Sequence, residues 1–166
     1  MRYVYFYNTG IKELGTLGIG ACEDKITDLF FEYEIENVKK NQNYIIKETP
    51  LIKKAASQLF EYLNGKRKEF DLPLLKEGTD FLISVWNELL KIPYGETRSY
   101  KDIAVAINNE KAVRAVGMAN NRNKISIFIP CHRVIGSNKK LVGYGGGLKI
   151  KEFLLNLEKR NWLKKN

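Results

Sequence analysis

The stretch Ile127-Phe-Ile-Pro-Cys-His-Arg-Val-Ile135 sets Cys131 directly beside His132, the only histidine in the chain. A lone cysteine is ordinarily a small core residue, and Cys22 is read that way. Cys131 is read differently. His132 and Arg133 adjoin it, and Lys124 and Lys139 lie near it in sequence, an electropositive setting that favours thiolate over thiol. An ordinary cysteine is only a few per cent ionised at neutral pH, so activation of this kind is what makes a nucleophile. Neighbouring strand side chains point to opposite faces, so Cys131 and His132 can cooperate only through a turn or a relay. A histidine base also needs an acid to hold its tautomer. Glu158 and Glu152 are both candidates on a helix expected over 150–158, and spacing alone does not separate them.

Other elements must position this group. An apolar strand over 127–129 delivers Pro130, whose ring fixes the backbone before Cys131. Upstream, Thr79 can cap a helix whose apolar positions Phe81, Leu82, Val85, Trp86, Leu89 and Leu90 follow the 3.6 period, ended by Pro93-Tyr-Gly95. Ser99 caps a short helix through Ile107, Asn108-Asn109 makes a tight turn, and the next helix is expected over 110–120. Two short helices joined by a tight turn are a helix-turn-helix candidate, although helical hairpins without a DNA role are common. The first half carries strands over 2–8, 17–23 and 26–33, then a helix from Thr49-Pro50 to Asn64-Gly65 with Leu51, Ile52, Ala55, Leu59 and Leu63 on one face. Gly15, Gly18 and Gly20 hint at a phosphate loop, but no Lys-Ser/Thr follows and no helix opens there, so hairpin turns are preferred. Lys76-Glu-Gly-Thr79 reads as a linker between domains over 1–76 and 79–166.

The 166 residues, 44% hydrophobic and 28% charged, suffice for one or two small domains with a buried core. There is no run of 18 apolar residues, and the amino end MRYVYFYNTG has neither an apolar signal core nor a small-residue cleavage site, so no membrane association or export is expected. Two cysteines are too few for a disulfide scaffold and point to a reducing cytoplasm. One histidine argues against a protein-built zinc site, and neither a metal nor a cofactor is expected. The net charge of +9 is unevenly spread: residues 1–78 hold 12 Lys plus Arg and 12 Asp plus Glu, residues 79–166 hold 16 and 7. A localised basic surface suits a nucleic-acid binder, since neutralising phosphates releases counterions. A solvated basic face fits the charge alone equally well.

Pro130-Cys-His-Arg-Val134, followed by Val142-Gly-Tyr-Gly-Gly-Gly-Leu148 and Lys151-Glu-Phe-Leu-Leu-Asn-Leu-Glu158, closely resembles the O6-alkylguanine-DNA alkyltransferases, the direct-reversal DNA repair proteins. The match extends upstream through Pro93-Tyr-Gly-Glu-Thr-Arg-Ser-Tyr100 and Ala112-Val-Arg-Ala-Val-Gly117 to Asn123. The resemblance implies an α+β chain, with an N-terminal ribonuclease-H-like α/β support domain and a C-terminal winged helix-turn-helix domain that carries the cysteine. It implies that Cys131 accepts the alkyl group, that His132 deprotonates it through a water, that Glu158 orients His132, and that Asn123 braces the thiolate and the helix-turn-helix. Tyr100 would assist departure of guanine at N3. Arg114 would be the finger that replaces the extruded nucleotide, with Ser99, Ala112, Ala115 and Gly117 along the DNA. Tyr144, Gly145, Gly146 and Val134 would form the base pocket, Gly145 standing where serine is frequent.

The implied partner is double-stranded DNA containing O6-alkylguanine, met mainly through the minor groove by a monomer. The target lies inside the stack, so the nucleotide must be flipped out at a cost of about a few kcal/mol. Small residues at 112, 115, 117 and 119 allow close approach to a groove roughly 6 Å wide; a helix packed tightly on its neighbour would also use them. The thioether product resists hydrolysis, so each molecule acts once. Two other classes share these residues: a Cys-His hydrolase, which would turn over, and a DNA-binding regulator without chemistry, for which Cys131 would be dispensable. Duplex affinity is expected to fall with salt through residues 79–166, with little sequence preference.

Overall fold

The structure is a computed structural model that describes residues 1–137, 144 and 146–164, Leu163 and Lys164 by their backbone only. Among the residues weighed above, Lys139, Val142, Gly143 and Gly145 lie outside the described residues. The chain divides into two compact units, Met1–Leu75 and Lys76–Asn166, each mixing helices and strands.

The first unit is a four-stranded sheet in the order β3-β2-β1-β4, with β1 Arg2–Asn8, β2 Thr16–Ala21, β3 Ile26–Phe30 and β4 Tyr44–Ile46. β1 pairs antiparallel with β2, β2 antiparallel with β3, and β4 parallel with β1. Short α1, Ile35–Lys40, makes the crossover into β4. Neither α1 nor β4 is legible as a period in the sequence, because both are too short to repeat a face. Helix α2, Pro50–Leu63, begins as expected: Thr49 Oγ1 accepts the Ile52 N–H at 3.2 Å, and such a cap contributes about 1 kcal/mol. Asn64 closes it and Gly65 takes φ +75°. Ile52, Ala55, Leu59 and Tyr62 are fully buried, and covering each large apolar side chain is worth roughly 1.5–3 kcal/mol. Of Gly15, Gly18 and Gly20 only Gly15 turns the chain, at φ +60°; Gly18 and Gly20 sit inside β2, where a Cβ on Gly20 would meet Asp28 Oδ2 at 2.9 Å. The bare backbone leaves room for buried Asp28, which binds Thr27, Tyr44 and Arg2.

The second unit packs α3 Asp80–Leu89, α4 Tyr100–Ala106, α5 Val113–Asn121 and α6 Leu148–Lys164 around a minimal parallel pair, β5 Arg98–Ser99 and β6 Val134–Ile135. Thr79 caps α3 by accepting from Leu82 N–H at 3.2 Å. Ser99 caps α4 in a reciprocal box with Asp102: Ser99 Oγ accepts from Asp102 N–H at 2.9 Å, and Asp102 Oδ2 from Ser99 N–H at 2.8 Å. Asn108 makes the turn at φ +58°, a conformation asparagine tolerates. α5 opens at Val113, three residues later than expected, because 110–112 are spent closing the turn. Trp86 Nε1–H, on α3, donates to the Ala119 carbonyl of α5 at 2.9 Å and fixes the two helices together. Among the described residues no helix is long and apolar enough to cross a membrane.

Candidate active site

The approach to Cys131 is where the structure departs most from the expected strand. Phe128 N–H donates to the Ser126 carbonyl at 2.9 Å across Ile127, whose φ is +73°: a γ-turn of the rare sign. A β-branched residue in that region costs on the order of 1–3 kcal/mol. Burial of Ile125, Ile127, Phe128 and Ile129 holds it there, since an extended strand would send alternate members of that run to solvent. A second, inverse γ-turn follows at Pro130, φ −80° and ψ 63°, closed by Cys131 N–H on the Ile129 carbonyl at 2.8 Å. Cys131–Arg133 then form a 3₁₀ turn. The turn lets adjacent residues share one interior, which a strand could not do. Asn123 clamps the reversal from both sides: its Nδ2 donates to the Ile129 carbonyl at 3.0 Å and its Oδ1 accepts from Ile125 N–H at 3.0 Å. Asn120 Nδ2, on the inner face of α5, donates to the Cys131 carbonyl at 3.3 Å.

Behind the thiol lies a buried relay. His132 Nε2 stands 2.6 Å from Glu158 Oε2, and both side chains are essentially inaccessible. Arg133 grips the same carboxylate twice, Nε to Oε1 at 2.8 Å and Nη2 to Oε2 at 3.0 Å, while Nη1 donates to the Ile92 carbonyl at 2.7 Å. Gly95 N–H adds a bond to Oε1 at 3.1 Å; its φ of +81° and the indole of Trp162, 2.8 Å from where a Cβ would stand, reserve the position for glycine. Burial alone would raise the Glu158 carboxyl, but His132 and Arg133 overcome it and hold it well below the usual carboxylate range. Burial pushes His132 down against the pull of Glu158, so the imidazole is neutral. A neutral ring facing an ionised carboxylate carries its proton on Nε2, which leaves Nδ1 as the basic nitrogen. Glu152 is exposed, so the structure selects Glu158.

The electropositive setting expected of Cys131 is corrected. The thiol is 3% exposed, and burial pushes it up from its ordinary value; the side chains of Asn123 and Ser126 and the charge of Lys151 offset this only in part. Arg133 is committed to Glu158, so its charge does not serve the sulfur. The cation facing the site is Lys151, fully buried on α6, donating to the Val134 carbonyl at 2.5 Å and lying 5.9 Å from the Tyr100 ring centroid. Burial brings its ammonium down to about 8. Sequence reasoning missed it, although Lys151, Leu154 and Glu158 share the i, i+3, i+7 stripe, a charged pair on an apolar face. Tyr100 and Tyr144 also face the sulfur: burial raises both phenols, and a charge on Cys131 raises them further.

Residues 80–160 match the family described as 6-O-methylguanine DNA methyltransferase, DNA binding domain, and residues 5–75 its ribonuclease-like domain. The constitutive methylated-DNA–protein-cysteine methyltransferase of Bacillus subtilis is 50% identical over 163 residues, 96% of this chain and 99% of that one. The chain belongs to the methylated-DNA–protein-cysteine methyltransferase family.

The Methanosarcina barkeri member is 60% identical over 70% of this chain and 73% of its own. Mycobacterium tuberculosis OGT in complex with DNA superposes with a TM-score of 0.85 at 40% identity, covering 96% of this chain and 94% of that one. Within this methyltransferase fold, Cys131, His132, Glu158, Asn123, Tyr100, Val134 and Tyr144 converge on one interior. Arg114 and Ala115 are exposed on α5, with Ala112 and Gly117 half-buried beside them. Gly117 lies against Tyr100, 3.9 Å from the ring to where a Cβ would be. Gly146 lies two residues before α6.

Proposed function

We propose that this methyltransferase repairs O6-alkylguanine in duplex DNA, moving the alkyl group once and irreversibly to Cys131 Sγ. The observation that carries the reading is a buried thiol backed by a neutral histidine on an ionised, doubly gripped carboxylate. His132 Nδ1 takes the thiol proton through a water; the sulfur attacks the alkyl carbon in line; the carbon–O6 bond breaks, and its electron pair leaves on guanine. Tyr100 stabilises that departing charge at N3, and a proton returned from the imidazolium leaves neutral guanine. Glu158 orients His132 and stabilises its transient charge. Tyr144 and Gly146 wall the pocket, and the Val134 carbonyl, which accepts from Lys151, can also accept from the base. The test is intact mass after mixing with duplex carrying O6-methylguanine: the expected gain is one methyl per protein, and repeated turnover or unmodified protein overturns the proposal.

α4, the Asn108 turn and α5 are read as the helix-turn-helix of a winged domain over 79–166, with 1–76 as its support. α5 enters the minor groove, where Ala112, Ala115 and Gly117 permit close approach, and Ser99, whose Oγ already accepts from Asp102 N–H, keeps its O–H to donate to phosphate. Arg114 fills the place of the flipped nucleotide. Accordingly Arg114→Ala should slow duplex repair roughly tenfold more than reaction with free O6-benzylguanine, since only the duplex pays for unstacking; equal losses in single-turnover assays remove the finger role. The protein is read as a monomer working in a reducing cytoplasm, where Cys22 and Cys131 remain thiols.

Lys151 is the counter-charge of the thiolate. Replacing it with methionine keeps the stem and removes the cation, so the thiol rises further and the rate at pH 7 falls, by about an order of magnitude. Rates with free O6-benzylguanine between pH 6 and 10 should recover at the alkaline end; a pH-independent loss points to packing instead. Stability gives a second readout. Because the folded ammonium titrates near 8 and the unfolded near 10.5, the unfolded chain binds more protons in that window, and stability rises with pH there. Lys151→Met should flatten that slope.

A further inference from the structure

The outward ridge of α5 carries one residue that the small-residue argument does not explain. Val116, Ala119 and Asn120 are buried and define its inner side. At about 100° per residue, the opposite side is Arg114, Met118 and Asn121. Met118 is 61% exposed, more than any other large apolar side chain described in the second unit. It stands among the small residues Ala112, Ala115 and Gly117, where a long side chain hinders close approach unless it enters the groove itself. Its i, i+4 spacing puts it about 6 Å from Arg114 along the same ridge, one to two base-pair steps of roughly 3.4 Å.

We propose that Met118 is a specificity-determining residue that reads the minor-groove floor beside the extruded nucleotide and favours A·T over G·C there. The inference rests on α5 being the DNA-facing helix. A thioether is a weak acceptor and a flexible apolar filler, so it packs against a floor that carries only the adenine N3 and thymine O2 atoms. At a G·C pair it covers the guanine 2-amino group, a donor that so weak an acceptor satisfies poorly. The cost of one such buried donor corresponds to roughly a fivefold difference in rate. Phosphate contacts stay indifferent to sequence, so the preference is confined to the flanking pairs.

The experiment compares single-turnover rate constants on duplexes that differ only in the two pairs on each side of O6-methylguanine. Flanks of A·T, G·C, inosine·C, which lacks the 2-amino group, and 2,6-diaminopurine·T, which restores it, separate groove chemistry from base-pair identity. The wild type should react about fivefold faster on A·T and inosine·C flanks than on the other two. Met118→Leu should keep most of that ratio; Met118→Ala and Met118→Gln should bring it close to one. Equal rates on all four duplexes, or a ratio that survives in Met118→Ala, overturn the inference while leaving alkyl transfer intact. A wild type that transfers no alkyl group from any duplex overturns the proposed function, and this inference with it.

Discussion

Cys131→Ser should bind O6-methylguanine duplex and gain no mass. The substitution trades the sulfur for an oxygen that His132 cannot ionise to a useful extent, and loss of a nucleophile of this kind costs on the order of 10³-fold or more in rate. The turns that carry the residue rest on backbone bonds, from Cys131 N–H to Ile129 and from Asn120 to the Cys131 carbonyl, which serine leaves in place. Fluorescence anisotropy with the damaged duplex should therefore retain binding while intact mass shows no adduct. The pairing of outcomes separates the three classes. A regulator would work unchanged without the thiol, a hydrolase would release product repeatedly from the wild type, and the alkyltransferase does neither. The spent wild type adds a second signature. A methyl placed on a sulfur only 3% exposed overpacks its pocket by about 1–3 kcal/mol, so the alkylated protein should melt several degrees below the free one in differential scanning calorimetry.

Glu158→Gln should strongly destabilise the second unit. The amide can still meet His132, but Arg133, 6% exposed, loses the carboxylate it grips, and stripping one member of a buried ion pair costs about 3–5 kcal/mol. Reaction with free O6-benzylguanine should fall by roughly 10²-fold or more, because the histidine loses the charge that orients it and steadies its protonated form. Pairing the change with Arg133→Met separates the two effects. Removing both charges should recover part of the melting temperature, since no uncompensated charge is then left buried, yet leaves the reaction slow. A double variant that recovers activity along with stability would show that Glu158 acts only by holding the fold. The acid limb is a further check. The Glu158 carboxyl is held below its ordinary value of 4.5, so its contribution is complete above about that pH and drains away as pH falls toward the folded value. Glu158→Gln should lose that part of the acid sensitivity.

Whatever depends on a few neighbouring residues is legible along the chain. Thr49-Pro50, Thr79 and Ser99 announce three helix starts because a cap is satisfied within three positions, and Asn64-Gly65 announces a stop for the same reason. Cys131, His132 and Glu158 were legible as chemistry from their types and their motif. How they act emerges only on folding. An apolar run such as Ile127-Phe-Ile129 has no local signal for a γ-turn in the left-handed region; burial on all sides imposes it. The choice of Glu158 over Glu152 depends on which face α6 turns inward across 26 residues of separation. The charge environment of the thiol shows the limit most plainly. Cations next to Cys131 in sequence suggested a lowered thiol, whereas the folded chain spends Arg133 on Glu158, brings Lys151 in from another helix, and raises the thiol by burial. Proximity along the chain is written in the sequence, but desolvation is set by everything packed around a group, and that exists only once the chain has folded.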